Sequence, residues 1–405
     1  MRSSPRRDGP RSCDTGLVDG WHRAGDDGAV RDDQSIRWLD GSGREHRVRW
    51  RSESGGPPPQ QVLVADDRMN ADTAFRLACE GTSLLWHGDF HNARQLLSAM
   101  ARRVDRKPPK RGASPQQSFR LHRQAQSRRA RILGMLLLPV EAGHVIPLRR
   151  APDVRLACEQ AYGPCREPYV VSLRELQGVL GAGEWRRKGV HVPALGASVV
   201  PHYGVFSPVR GEYVGLVAEA PLPSRDTVSA FDIGTGTGVL AAVLARRGVR
   251  PVVATDLDPR ALACARENID RLGVSATVRI RQADLFPEGR ASLVVCNPPW
   301  LPGRARTPLE RAVYDPGSRM LHGFLDGLSG HLEPGGEGWL IISDLAERLG
   351  LRAPTELTDL FGRAGLTVAG RLDARPLHPR AHDPADPLHE ARKAEVTSLW
   401  RLTAG

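Results

Sequence analysis

Asn297-Pro298-Pro299-Trp300 follows directly on the apolar run Leu293-Val294-Val295-Cys296. Read as a buried strand that stops at a locked turn, it sets a carboxamide, a rigid backbone and a ring at a strand's carboxyl edge. That edge is where open α/β sheets bind ligands. A planar amide or exocyclic amine is a poor nucleophile, because its nitrogen lone pair is delocalised. Two acceptors for its N–H groups, the Asn297 side-chain oxygen and the Pro298 carbonyl, would hold such a group and favour pyramidalisation. Pro299 stiffens the turn, and Trp300 offers a face on which the planar acceptor can stack. Positioning and electrostatics supply most of the barrier reduction in such a site, and no metal is required.

The electrophile would be held upstream. Asp232-Ile233-Gly234-Thr235-Gly236-Thr237-Gly238 joins an apolar strand to a helix, and glycines there permit a tight turn and close approach of a ligand beside a helix N-terminus. Alone, that loop also suits nicotinamide-cofactor folds. Asp256 ends the next strand, where an acid can accept hydrogen bonds from ribose hydroxyls. Asp258 reads as a helix N-cap ahead of Pro259. Asp284 ends the third strand and is placed to meet an adenine amino group.

The elements that must position these residues alternate in the manner of a doubly wound sheet. Strands are predicted at 230–233, 252–255, 277–282, 292–296 and 338–343, with helical patterns at 238–247, 259–272 and 318–332. A further helix near 354–364 and two late strands, 366–371 and 395–402, close the chain. A Pro- and His-rich connection, 376–393, separates the late strands; its His378, His382 and His389 read as loop residues, since no acid or thiol spacing supports a metal site.

In this order the motifs resemble class I S-adenosylmethionine-dependent methyltransferases with an Asn-Pro-Pro-aromatic signature, within the methyltransferase small domain group. The resemblance covers about residues 200–405. It implies a Rossmann-like α/β fold whose seven-stranded, mostly parallel sheet has an antiparallel last strand. It also implies that Gly234, Gly236 and Gly238 line the methionine part of the cofactor. Asp256 would bind its ribose, Asp284 its adenine, and Asn297 and Pro298 the acceptor nitrogen. Asp232 and Thr235 in the loop, Leu285 beside Asp284, and Phe206 in a covering segment complete the implied cofactor site. The group includes ribosomal RNA guanine N2-methyltransferases and glutamine N5-methyltransferases of release factors and ribosomal protein. The chain lacks the Arg-Pro-Glu-Thr-Glu-type segment of the bacterial release-factor enzymes. The expected activity is therefore N-methyl transfer to a nucleobase in RNA, ribosomal RNA included, with a glutamine of a translation or ribosomal protein as the alternative. A nicotinamide-dependent oxidoreductase would need a hydride-transfer constellation that the sequence does not offer.

Charge points the same way. The net charge is +11, and Arg102–Arg131 alone holds eleven Lys or Arg against one acid, Asp105, which makes +10. Residues 1–68 carry twelve charges of each sign and sum to zero. A concentrated basic segment favours an acidic partner, most often nucleic acid. Six scattered cysteines without a Cys-x-x-Cys pair fit a reducing, cytoplasmic setting. No apolar run has the length of a membrane span, and no secretory signal is visible.

Residues 1–68 lack periodicity and read as a disordered or dispensable tail, or alternatively as the product of a start assigned upstream of Met69. Residues 69–139 read as a basic helical region. Two helices are predicted between 70 and 104, broken at Gly88-Asp89, and a third over 116–138, stopped by Pro139. Residues 140–200 read as a small mixed α/β recognition unit, with a strand at 169–173.

Overall fold

The computed structural model describes residues 34–39, 42–209, 211–224, 228–376 and 383–405. Two sheets organise them. The N-terminal sheet contains β1 (Ser35–Leu39), β2 (Glu45–Arg51), β3 (Gln61–Ala65), β4 (Thr82–Trp86), β5 (Leu136–Val140) and β6 (Tyr169–Ser172), in the order β1-β2-β6-β5-β4-β3. Strands β3, β4 and β5 run parallel, and β6 is antiparallel to β5.

Three expectations are corrected here. Residues 35–65 are not a tail: they supply three strands, and Ile36 is fully buried. The region 69–139 is not purely helical, because Thr82–Trp86 is a strand between helices Ala71–Glu80 and Phe90–Asp105. Its Leu84, Leu85 and Trp86 are buried on both faces, so the alternation that marks a half-exposed strand never shows. The third helix runs Pro115–Leu133, capped by the Ser114 hydroxyl, which accepts from the Gln117 amide at 3.1 Å. Leu136-Leu137-Leu138-Pro139 is strand, not helix end. One core unites these helices with β4, β5 and β6, so 69–139 and 140–172 form one unit. Residues 1–33 and 377–382, with His378 and His382, lie outside the described residues.

A hairpin, β7 (Val190–Val192) and β8 (Ala197–Val199), packs on the second core, so that unit begins about ten residues before the expected boundary at 201. Its sheet comprises β9 (Ala230–Ile233), β10 (Val252–Asp256), β11 (Val278–Gln282), β12 (Ala291–Cys296), β15 (Leu332–Ser343), β16 (Leu366–Ala374) and β17 (Thr397–Ala404). A short parallel pair, β13 (Leu301–Pro302) and β14 (Tyr314–Asp315), stands outside it. The seven strands run in the order β11-β10-β9-β12-β15-β17-β16. Only β17 opposes the others, pairing antiparallel with β15 and β16. Every residue of β12 is buried, which fixes it as a central strand covered on both faces. Helix Pro259–Arg271 starts at Asp258, whose carboxylate accepts from the Arg260 amide at 2.9 Å. No helix among the described residues is long and apolar enough to cross a membrane.

Candidate methyl-donor and acceptor site

Strand register brings the singled-out residues to one edge. Ile233 of β9 pairs with Thr255 of β10 on one side and with Cys296 of β12 on the other. Gly234, Asp256 and Asn297 therefore leave the sheet together at its carboxyl edge. Adjacent strands lie about 4.8 Å apart, so the edge from Asn297 to the end of β11 spans about 15 Å. That suits a ligand with an amino-acid end and a nucleoside end.

The glycine loop is braced from beneath. Asp232 is buried, and its Oδ2 accepts from the Thr235 hydroxyl at 2.7 Å and the Ala241 amide at 3.0 Å. Full burial pushes its carboxyl up to about 6, against those two hydrogen bonds. Asp232 thus holds the loop's shape, and Thr235 is likewise buried and turned inward. Gly236 has φ +56 and nothing within 4 Å of where a Cβ would stand. Left-handed backbone beneath open space is what a ligand lying on the loop needs. Gly234 has φ +72, and its Cβ position lies 2.5 Å from Met320 Cε.

Asp256 is half-buried, and burial raises its carboxyl. Its two oxygens accept from the Gly236 amide and the Asp258 amide, each at 3.0 Å. Lone pairs remain on both for ribose hydroxyls. Asp284 stands differently from the expectation: it is exposed, and its Oδ2 accepts from the Arg319 guanidinium. Leu285 adopts φ 75, held by its carbonyl accepting from the Thr255 hydroxyl at 2.6 Å. Phe206 is half-buried in the segment before β9, and the buried hydroxyl of Ser207 beside it has no hydrogen-bond partner among the described residues. An open glycine cradle, an anchored acid and an unpartnered hydroxyl fit a nucleoside-bearing donor.

At the acceptor corner, Trp300 Nε1 donates to Asn297 Oδ1 at 2.9 Å. This orients the carboxamide and leaves the second lone pair of Oδ1 free. Trp300 is half-buried against the cores on both faces of the sheet, and its carbonyl accepts from Arg352 Nη2 at 3.0 Å. Pro298 is buried and Pro299 half-buried.

Sequence reasoning missed Asp315, Met320 and Arg352. Asp315 is buried, and its Oδ2 accepts from the Met320 and Leu321 amides at 2.8 and 3.2 Å, which caps helix Arg319–His331. An acid just ahead of an apolar helical pattern is a legible capping signal, but the intervening turn Pro316–Ser318 hid it. Among the described residues, no group of three or more His, Cys, Asp or Glu is placed to hold a metal.

Residues 196–369 match the family model of the methyltransferase small domain. This segment belongs to that family. With strand order, edge and loop in place, the seven-stranded unit has the fold of a class I S-adenosylmethionine-dependent methyltransferase domain. The release factor glutamine methyltransferase of Cereibacter sphaeroides is 36% identical over 188 residues, which is 41% of this chain and 66% of that protein. The ribosomal protein L11 methyltransferase of Pelotomaculum thermopropionicum is 49% identical over 69 residues, 16% of this chain and 22% of its own length. The chain thus spans between about a fifth and just under two thirds of these relatives. A solved S-adenosylmethionine-dependent methyltransferase from Geobacter sulfurreducens, in complex with S-adenosyl-L-homocysteine, covers 50% of this chain and 92% of its own at 17% identity and a TM-score of 0.32.

Proposed function

We propose that this chain transfers a methyl group from S-adenosylmethionine to a planar N–H₂ group, the favoured acceptor being an amino group of an RNA base. The observation that carries the reading is the register of β9 and β12, which sets Gly234 beside Asn297 at one edge. The bound donor supplies an electrophilic methyl group on a positively charged sulfur. Gly234, Gly236 and the acid Asp256 would hold it. Asn297 Oδ1, oriented by Trp300, and the Pro298 carbonyl would accept the two N–H groups of the acceptor. Holding both N–H groups directs the nitrogen lone pair at the methyl carbon, and one N–H proton is lost to water after transfer. Such oriented acceptors act without reorganisation at the moment of reaction.

A second reading has its own support. Both curated relatives described above are named for protein substrates, a release factor glutamine and ribosomal protein L11. A glutamine amide is also planar and carries two N–H groups, so the same corner would serve it. Tritiated methyl transfer into fractionated RNA and protein, from a strain lacking this enzyme, decides between them. Label in RNA as an N-methylated base is the expected result. Label confined to protein glutamine would replace the first reading with the second. Calorimetry showing binding of NAD but not of S-adenosylmethionine would overturn both.

A further inference from the structure

We infer that the exposed face of helix Pro115–Leu133, with the loop that follows Trp300, is a track for the phosphodiester backbone of a single-stranded RNA. The inference rests on the corner at Asn297 being the acceptor side.

The two units meet beside that corner, and their contact is built from arginines. The Arg123 guanidinium lies 3.9 Å over the Tyr314 ring, donates to the Arg304 carbonyl at 2.8 Å and pairs with Glu310 at 3.3 Å. Arg306 donates back to the Arg123 carbonyl at 3.2 Å. A cleft of about 500 Å³ opens there, lined by Phe119 and by Arg120, Arg123, Arg304 and Arg306. Phe119 packs on Leu301, the residue after Trp300. Arg304 follows Trp300 by four residues, so the cleft lies within about 14 Å of the acceptor corner along the chain.

From the cleft a stripe continues along the helix. Arg120, Gln124, Arg128 and Arg131 are all exposed, and spacings of four, four and three residues set them on one face. Eleven residues rise about 16 Å, the length of several nucleotides of a single strand. Among the described residues, Arg120, Arg128, Arg131 and Arg304 make no ion pair, while Arg123 and Arg129 are neutralised by Glu310 and Asp105. Arg123 thus ties the two units together, Arg129 pairs within the first unit, and the unpaired arginines face outward as a row of like charge. Guanidinium groups bind phosphate bidentately, and an evenly spaced polyanion relieves the repulsion along the whole row. A folded acidic protein surface would match the cleft but not the regular stripe.

The test uses the full chain and an unstructured single-stranded RNA of about twelve nucleotides, read by fluorescence anisotropy across a salt series without methyl donor. The triple variant Arg120→Gln, Arg128→Gln, Arg131→Gln should flatten the slope of log affinity against log salt by about two. At about 0.1 M salt that is a loss of about a hundredfold. S-adenosylmethionine affinity and melting temperature should hold, as the three side chains are exposed. An unchanged slope and affinity would overturn the track, as would poly(glutamate) outcompeting the RNA, which would make the partner an acidic protein. Asn297→Ala should keep the salt slope of RNA binding, since Asn297 stands off the arginine stripe. Methyl transfer surviving in that variant would strike the corner reading alone; RNA affinity surviving in the triple variant would strike the track alone.

Discussion

The two sheets present the same kind of edge and use it in opposite ways. In the N-terminal sheet, Ala65 of β3 pairs with Trp86 of β4, so Asp66-Asp67 and Gly88-Asp89 leave at one carboxyl edge, as Gly234 and Asn297 do in the other. There the edge is sealed. Asp89 is buried and accepts from the His91 amide at 2.8 Å, from Arg149 at 2.9 Å and from Arg150 at 2.6 Å. Asp67 accepts from the Asp89 amide at 2.9 Å and from Asn92 at 3.0 Å. In the C-terminal sheet the acids brace a loop whose upper surface stays open at Gly236. Parallel strands with crossover helices provide a ligand edge only where the loops leave their hydrogen-bonding capacity unspent. Side chains that satisfy one another turn that edge into scaffold. The first sheet carries the basic helix; the second carries the proposed methyl-transfer site.

The contrast can be broken or sharpened by substitution. The largest effect is expected at the open edge: Asn297→Ala should lower turnover about a thousandfold, about 4 kcal/mol of transition-state stabilisation. Donor binding by calorimetry should survive; unchanged turnover would remove Asn297 from the mechanism. Next comes a pH effect at Asp232. Its folded value of about 6 lies above the ordinary 3.8, so the native state binds the proton more tightly than the unfolded chain. Its contribution to stability is full below about pH 4 and is lost as pH rises through about 6, a swing of about 3 kcal/mol. Denaturant midpoints at about pH 4 and pH 7 should show a decline with pH that Asp232→Asn abolishes; equal slopes would deny that burial governs this acid. Gly236→Ala should cost about 1–2 kcal/mol for its left-handed backbone, and also weaken donor binding at least tenfold. A stability loss with donor affinity intact would mean the ligand does not lie on that loop. The smallest effect belongs to the sealed edge. Asp89→Ala removes a helix cap and should cost about 1 kcal/mol, lowering the melting temperature with donor affinity unmoved. A drop in donor affinity would show that the two edges are coupled.

The same contrast explains what was legible. In the second unit β9 to β12 each run into residues of unusual type, a glycine run, an aspartate or Asn-Pro-Pro, so periodicity and punctuation agreed and these four predicted strands match the observed bounds closely. In the first unit β4 is short and buried on both faces, and Leu77-Ala78 to Leu84-Leu85 repeats at seven residues, which imitates a helix. Residues 35–65 are mixed in charge and rich in Gly and Pro, and β2 among their strands pairs with β6, more than a hundred residues away in the chain. Local pattern does not contain that partner. Their contribution extends to the site's frame: Glu53, whose amide donates to Glu175, accepts from Arg260 at 2.6 Å, two residues beyond the Asp258 cap.

By itself the sequence determined the glycine loop, the acid that ends β10 and the Asn-Pro-Pro-Trp corner, because each is a local feature tied to the end of its own strand. Tertiary structure decided their partners. Trp300 orients Asn297, Arg352 holds Trp300, Arg319 takes Asp284 from 35 residues away, and Arg260 reaches Glu53 across 207. Strand order and unit packing choose those pairs, and the free energy that fixes them comes from burial shared among distant segments, which no single stretch of the chain records.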